Sequence, residues 1–116
     1  MLPTRLRRPP LDLQAKSDAH FATAAALAAM FDGGPDAVTP DVLAAIEPSL
    51  TFVDGAASKP GEASVYAGRS GALGVAVMSG SGTCFWIMNP GKGEQRYGSG
   101  MPCSGRAALQ ASQADW

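Results

Sequence analysis

The chain has 116 residues and a formal net charge of −1, and charged residues make up 16 % of it, against roughly 25 % in an average soluble domain. This length allows one hydrophobic core and is too short for two. Because positive and negative residues nearly cancel, the composition excludes the strong basic field of a nucleic-acid or anionic-membrane binder. No stretch approaches the roughly 18 apolar residues of a membrane-spanning helix.

The first predicted element is a long helix over residues 11–31. Residues 1–10, which contain two adjacent prolines, are interpreted as a remnant or linker before it. From Leu11 the chain is rich in alanine and has no Gly or Pro before Gly33. Apolar residues recur at three- and four-residue spacing, and this stripe is predicted to face the core. Its members are Leu13, Ala24, Leu27, Ala28 and Phe31, with Phe21 or Ala25 at its margin.

A connecting loop over residues 32–49 is predicted to hold a short second helix. Thr39 is placed to accept a hydrogen bond from an early backbone N–H, and Pro40 fits the first helical position. Asp41 complements the positive end of the helix dipole. Pro48 is predicted to end the helix after little more than two turns.

Residues 50–98 read as a sheet. Four segments, 50–53, 64–67, 72–79 and 83–88, are rich in β-branched or aromatic residues and are bounded by turn residues. The segment 72–79 alternates large apolar residues with Gly74 and Ala76, and this small-residue face would let a helix lie close. The predicted fold is α+β, with the long helix packed across an antiparallel β-meander and with residues 99–116 as a C-terminal loop and tail. Residues 11–116 are thus predicted to form a single domain.

The two cysteines, Cys84 and Cys103, bracket a Gly-rich polar segment. A disulfide between them would tie this segment back to the sheet, and closing a loop of this size stabilises by roughly 3 kcal/mol. A disulfide is therefore favoured, and it indicates an oxidising compartment. Two unpaired buried thiols remain open as an alternative.

Metal binding and catalysis find little support in the sequence. A zinc site needs four ligands, and His20 is the single histidine. A small cytosolic hydrolase with Cys84 or Cys103 as nucleophile would need an activating base, and His20 is expected to be an exposed helix residue. The sequence predicts no enzyme activity, no metal and no cofactor.

Several separated segments resemble type IV pilins and pseudopilins of bacterial, actinobacterial-like type. They are LPTRLRRPPLDLQAKSDAHFATAA, AAIEPSLTFVDGAAS and SGTCFWIMNPGKGEQRYGSGMPCSGRAALQASQADW. The resemblance covers nearly the whole chain and implies the soluble head domain of such a subunit. The leader, its cleavage motif and the apolar half of the N-terminal helix are not found in this sequence, which as written carries no export signal.

The resemblance implies a structural subunit of a type IV pilus or type II secretion pseudopilus. The partners it implies are other pilin subunits, the location is the cell surface, and any membrane contact requires the apolar N-terminal segment. The loop between the cysteines would form the filament surface, with Trp86, Arg96 and Tyr97 as candidate contact residues. Calcium-binding loops of pseudopilins use several acidic residues, and this loop region offers only Glu94 and the distant Asp115. An independent secreted binding or adhesion module is the alternative.

Overall fold

The computed structural model describes residues 10–116, which form three α-helices and a five-stranded sheet. The segment interpreted as a remnant or linker, 1–10, lies outside the described residues except for Pro10. The elements in chain order are α1 (Leu11–Gly33), a 3₁₀ turn (Pro35–Ala37), α2 (Pro40–Ile46), β1 (Thr51–Val53), β2 (Glu62–Ala67), β3 (Leu73–Met78), β4 (Cys84–Asn89), β5 (Arg96–Ser99) and α3 (Gly105–Ala108). The α+β class and the long N-terminal helix are confirmed.

The sheet has the order β1-β2-β3-β4-β5 and is mixed. Strands β2 to β5 form the predicted antiparallel meander, but β1 pairs with β2 in parallel, so the expectation of a wholly antiparallel sheet is wrong. A strand of three residues is only about 10 Å long, and the eight residues that follow are enough to return the chain to its start. They cross one face of the sheet, where the Ala57 N–H donates to the Cys103 carbonyl at 2.7 Å.

Helix α1 lies across the other face of the sheet, and it does so through alanine. The residues buried along α1 are Ala15, Ala19, Ala22, Thr23, Ala25, Ala26 and Ala29. The predicted core stripe is therefore wrong for its large members, because Leu13, Leu27 and Phe31 are 58 %, 39 % and 94 % exposed. At 3.6 residues per turn these three side chains lie on the side of α1 away from the sheet.

The sheet explains why the inner face of α1 is made of small residues. Val75, Val77, Phe85 and Ile87 rise from β3 and β4 toward the helix and fill the space between the two layers. Since the interior is packed at a fixed density, bulky side chains on one layer require small ones on the other. Alanine also lets the helix axis approach the strands closely.

The helix ends follow the predicted capping. Gly34 ends α1 with a φ of +75°, a conformation that favours glycine, and its N–H donates to the Met30 carbonyl. Thr39 caps α2, since its Oγ1 accepts from the Val42 N–H at 3.3 Å. Pro40 is the first residue of that helix, as predicted.

The short helix α3 covers the opposite face of the sheet and was not anticipated. It begins after Ser104, whose Oγ accepts from the Ala107 N–H at 3.1 Å. The small-residue face of β3 receives it, because Gly74 lies directly beneath Gly105. Buried Ser64 holds the contact by accepting from the Gly105 N–H at 3.0 Å and donating to the Gly55 carbonyl.

Candidate functional site

The two cysteines are joined in a disulfide, as favoured from the sequence. Cys84 opens β4 and Cys103 directly precedes the Ser104 cap of α3, with their Cα atoms 5.5 Å apart and both residues buried. Neither sulfur is a thiolate in this structure, so neither is available as a nucleophile. Among residues 10–116 no group of three or more His, Cys, Asp or Glu side chains is placed to hold a metal ion.

The three candidate contact residues do not share one surface. Trp86 lies on the α3 side of the sheet, half-buried beside the disulfide, with its ring against the backbone of Gly98 and Gly100. Tyr97 lies on the α1 side, packed against the core. Arg96 stands at the start of β5 and is also half-buried. The structure thus places Trp86 and Tyr97 on opposite faces of one sheet edge.

A C-terminal tail, residues 109–116, wraps around this edge and was missed from the sequence. Gln113 pairs with Tyr97 through two backbone hydrogen bonds of 2.8 and 3.0 Å. The tail then ends on the α1 side, where the Trp116 indole N–H donates to the carbonyls of Trp86 and Gly98. The tryptophan at 116 was the one available signal, since a large aromatic in a polar tail usually finds a packing partner.

Trp116 is the centre of an aromatic cluster between α1 and the sheet. Its ring centroid lies 4.8 Å from Tyr97, 5.4 Å from His20 and 5.9 Å from Phe85. The Lys16 ammonium stands 5.2 Å from the Phe85 centroid and 5.7 Å from that of Trp116. Both distances lie within the range of a cation–π interaction. The cluster accordingly fixes the N-terminal half of α1 on the sheet.

The first turn of α1 is fixed by a second contact. The Asp12 carboxylate accepts hydrogen bonds from Ser81 Oγ at 2.5 Å and from Ser79 Oγ at 2.7 Å, both in the β3–β4 turn. These hydrogen bonds, first that of Ser81 and then that of Ser79, lower the pKa of Asp12. The helix is therefore anchored near its start as well as along its inner face.

The outward side of α1 carries several exposed apolar residues. Its exposed residues include Leu13, Phe21, Leu27 and Phe31, and α2 adds exposed Val42 and Ile46. Single apolar residues on a surface are normal, whereas several along one helix are uncommon. Within residues 10–116 no helix combines the length and apolar character needed to span a membrane. We call the residues Leu13, Ala24, Leu27, Ala28 and Phe31 the outer stripe.

A third feature lies at the other edge of the sheet. The Arg106 guanidinium of α3 sits 5.0 Å from the Tyr66 ring centroid and donates to the Tyr66 hydroxyl at 3.3 Å. This hydrogen bond and the positive charge lower the pKa of Tyr66 and raise that of Arg106. Arg106 keeps further N–H donors for another group, because a guanidinium carries five.

No family model, curated protein or solved structure matches this chain.

Proposed function

We propose that this chain is the head domain of a structural subunit of a type IV pilus or type II secretion pseudopilus. The observation that carries the proposal is the two-sided character of α1. Its alanine face packs on the chain's own sheet, while the outer stripe presents large apolar side chains to the surroundings. A subunit that assembles through its long helix requires such a second apolar face, whereas a monomeric domain does not.

Burial of the outer stripe provides enough free energy for weak association but not for a tight dimer. Burying a Leu or Phe side chain contributes about 1.5–3 kcal/mol, so three such residues on each of two copies give roughly 9–18 kcal/mol. Association costs about 4–15 kcal/mol in lost freedom of the partners. The midpoints of the gain and the cost differ by about 4 kcal/mol, so a single helix-to-helix contact is expected to have a Kd on the order of 1 mM. Such a contact serves a polymer, where each subunit makes several contacts at once.

The segment between the cysteines fits the filament surface. The disulfide closes this segment, which includes the polar β4–β5 turn with exposed Lys92 and Glu94. A disulfide is compatible with an extracellular location. In this proposal the loop faces outward from the filament, the partners are other subunits, and no reaction on a substrate is involved.

Photo-crosslinking tests the proposal on the isolated chain. We place p-benzoylphenylalanine at exposed Ala28 in the outer stripe, and in a matched control at exposed Ser70 in the β2–β3 turn. At roughly 1 mM protein, the expected range of Kd, irradiation of the Ala28 variant is expected to give covalent dimers. Peptide mapping is expected to find the crosslinks on outer-stripe residues of the second copy, and the Ser70 variant to stay monomeric.

The variant Leu27→Gln/Phe31→Gln, combined with the Ala28 crosslinker, is expected to abolish dimer formation while the circular dichroism spectrum stays unchanged. Crosslinks scattered over the surface, or none from Ala28, would contradict assembly through α1. In that case the chain would be the alternative, an independent secreted binding or adhesion module.

A further inference from the structure

Strand β2 is longer than the strand that covers its outer edge. β1 pairs with Glu62 to Ser64 only, after which the chain turns away at Asp54. β2 continues through Val65, Tyr66 and Ala67, still paired with β3 on its inner side. Among residues 10–116 no strand pairs with these three residues on the outer side. We call Val65–Ala67 the open edge.

The hydrogen-bond phase of the β2–β3 pair shows which backbone groups point outward. The Gly68 N–H donates to the Ala72 carbonyl at 2.8 Å. In an antiparallel ladder, residues alternate between bonding to the partner strand and pointing away from it. Tyr66, two residues back, therefore bonds toward β3, and Val65 and Ala67 direct their N–H and C=O groups outward. The parallel pairing of Val53 with Ser64 uses the Val65 N–H, so the Val65 C=O and both backbone groups of Ala67 are left for an added strand. Backbone groups in this arrangement form a template for an added strand.

The open edge lies between two hollows that meet along it. On the α1 side a hollow of about 470 Å³ extends from Val65 and Ala67 to the apolar wall of Pro35, Val38 and Pro40. This wall belongs to the connection between α1 and α2. Its Pro and Val side chains suit apolar groups, and Thr39 and Asp54 add polar groups to the same hollow. The length of the open edge, about 10 Å, suits three residues of an extended peptide.

On the α3 side a second hollow of about 350 Å³ is lined by Tyr66, Arg106 and Ser104. Its charged groups are the Arg106 guanidinium and the Asp54 carboxylate at the rim shared by both hollows. Arg69 adds a second positive charge close enough to act on the Tyr66 hydroxyl. Two cations against one carboxylate leave this side of the open edge net positive.

We propose that the open edge binds an extended peptide segment of another protein as an additional β-strand. The segment carries an acidic side chain opposite Tyr66, directed at Arg106, and apolar side chains before and after it, directed at Val38. The pleat requires this alternation, because Val65 and Ala67 face the α1 side while Tyr66 faces the α3 side. Two copies of this chain paired at the same edge would bring their Arg106 residues together, which disfavours self-pairing. The inference is independent of the filament proposal.

A short synthetic peptide tests the binding on the full chain. The probe is fluorescein-Gly-Thr-Val-Glu-Val-Thr-Gly-amide, followed by fluorescence anisotropy against rising protein concentration. The expected Kd is on the order of 100 μM, as for a short strand with one charged anchor. In a ¹⁵N–¹H spectrum the largest shift on binding is expected at the Ala67 amide, which donates to the added strand.

Three controls separate strand addition from unspecific adhesion. The same peptide N-methylated at Val, Glu and Val lacks its three central backbone donors, and the methyl groups block close approach to a strand edge, so it is expected not to bind. Replacing its Glu by Lys is expected to weaken binding at least tenfold. In the protein, Arg106→Gln is expected to weaken the Glu peptide about fivefold and to leave the Lys peptide no weaker, whereas Lys92→Gln, in the exposed β4–β5 turn that lines neither hollow, changes neither.

The proposal is overturned by equal binding of the N-methylated peptide, since a strand whose central N–H groups are methylated cannot pair along the open edge. It is equally overturned if the peptide does not bind at about 1 mM, a tenfold excess over the expected Kd, or if the shifted amides lie on the outer stripe of α1. Failure of this test leaves the filament proposal unaffected, because the two use different surfaces.

Discussion

Gly74 of β3 and Gly105 of α3 touch backbone to backbone. A Cβ atom on Gly74 would overlap the Gly105 carbonyl oxygen, and a Cβ on Gly105 would lie 2.6 Å from the Gly74 carbonyl oxygen. The cause is close approach of two backbones, and positive φ plays no part at either residue. This contact lets a helix of one turn sit flat on the sheet and places Cys103 beside Cys84.

Replacing either glycine by alanine is expected to destabilise the domain. Gly74→Ala and Gly105→Ala should each lower the free energy of unfolding by about 3 kcal/mol, because backbone must move to admit the methyl group. Gly68→Ala is the matched control, since a Cβ atom at Gly68 would lie 3.4 Å from the Ala72 carbonyl oxygen, which is an ordinary contact distance. Urea denaturation measures all three. A Gly105→Ala variant as stable as Gly68→Ala would show that the contact is not close.

Larger side chains on the two faces of α1 should have different effects on the free energy of unfolding. Ala22 is fully buried against the sheet and Ala24 is exposed in the outer stripe. Ala22→Leu is expected to cost about 1–3 kcal/mol by overpacking. Ala24→Leu should change the free energy of unfolding by less than about 0.5 kcal/mol, because Leu and Ala have similar helix propensities. Thermal and urea unfolding compare the two variants. Equal losses of stability at both positions would mean that α1 faces the sheet with a different side.

Removing the disulfide should reduce stability without changing the fold. Cys84 and Cys103 are 19 residues apart, and releasing a loop of this size costs about 3 kcal/mol in the chain-entropy description. Cys84→Ala/Cys103→Ala is therefore expected to unfold at lower urea concentration than the oxidised protein. A reducing agent should shift the wild-type curve toward that of the double variant and leave the double variant unchanged. Coincident curves for oxidised and reduced wild type would contradict this prediction.

Asp12 makes the anchoring of α1 sensitive to acid. Hydrogen bonds from Ser81 and Ser79 lower its pKa in the folded state from the ordinary value of 3.8. A carboxyl with a lowered folded-state pKa stabilises the protein above its ordinary pKa, and this stability is lost as the pH falls through the folded-state value. The melting temperature should therefore decrease below about pH 4.

Two variants test the origin of this acid sensitivity. Ser81→Ala should reduce the acid-dependent decrease in melting temperature, and Asp12→Asn should remove the share that Asp12 contributes. The matched control is Ser70→Ala, which alters an exposed serine in the β2–β3 turn and should leave the pH profile unchanged. Identical profiles for wild type and Asp12→Asn between pH 6 and pH 2, the range that brackets the carboxyl pKa, would rule out the role of Asp12.

Trp116 is expected to stabilise the packing of α1 on the sheet. Trp116→Ala removes the ring that His20, Tyr97 and Phe85 surround, and it should lower the free energy of unfolding by about 2–3 kcal/mol. Trp116→Phe keeps an aromatic ring but loses both hydrogen bonds of the indole, so an intermediate loss of about 1–2 kcal/mol is expected. Equal stability of wild type and Trp116→Ala would indicate that the tail does not hold the helix.

The strand and helix positions were predictable where local chemistry decides them. Gly34 and Thr39 mark helix boundaries through their own backbone preferences, and the apolar runs of β3 and β4 need no tertiary information. The orientation of α1 was not predictable, because both of its sides are apolar. Which side is buried depends on the bulk of Val75, Val77 and Phe85 across the interface, and only the assembled layers reveal this complementarity.

The missed elements depend on contacts distant in sequence. The segment Arg96–Ser99 becomes a strand because β4 pairs with it, and its Gly98 leaves room for the Trp86 ring. β1 runs parallel to β2 because the residues after it return across the sheet, where the Ala57 N–H donates to the Cys103 carbonyl. Helix α3 fits where Gly74 leaves a gap. Trp86, Arg96 and Tyr97 were close in sequence, but strand alternation and the wrapped tail separate them in space.

The tail that crosses β5 makes the two borders of the sheet chemically unequal. At the β5 border, Gln113 and Trp116 would have to dissociate from the sheet before another chain could pair with Tyr97. On the far border, Val65 and Ala67 have no such occupant among residues 10–116. A foreign strand can thus extend this sheet at the β2 border alone, because the tail closes the β5 border.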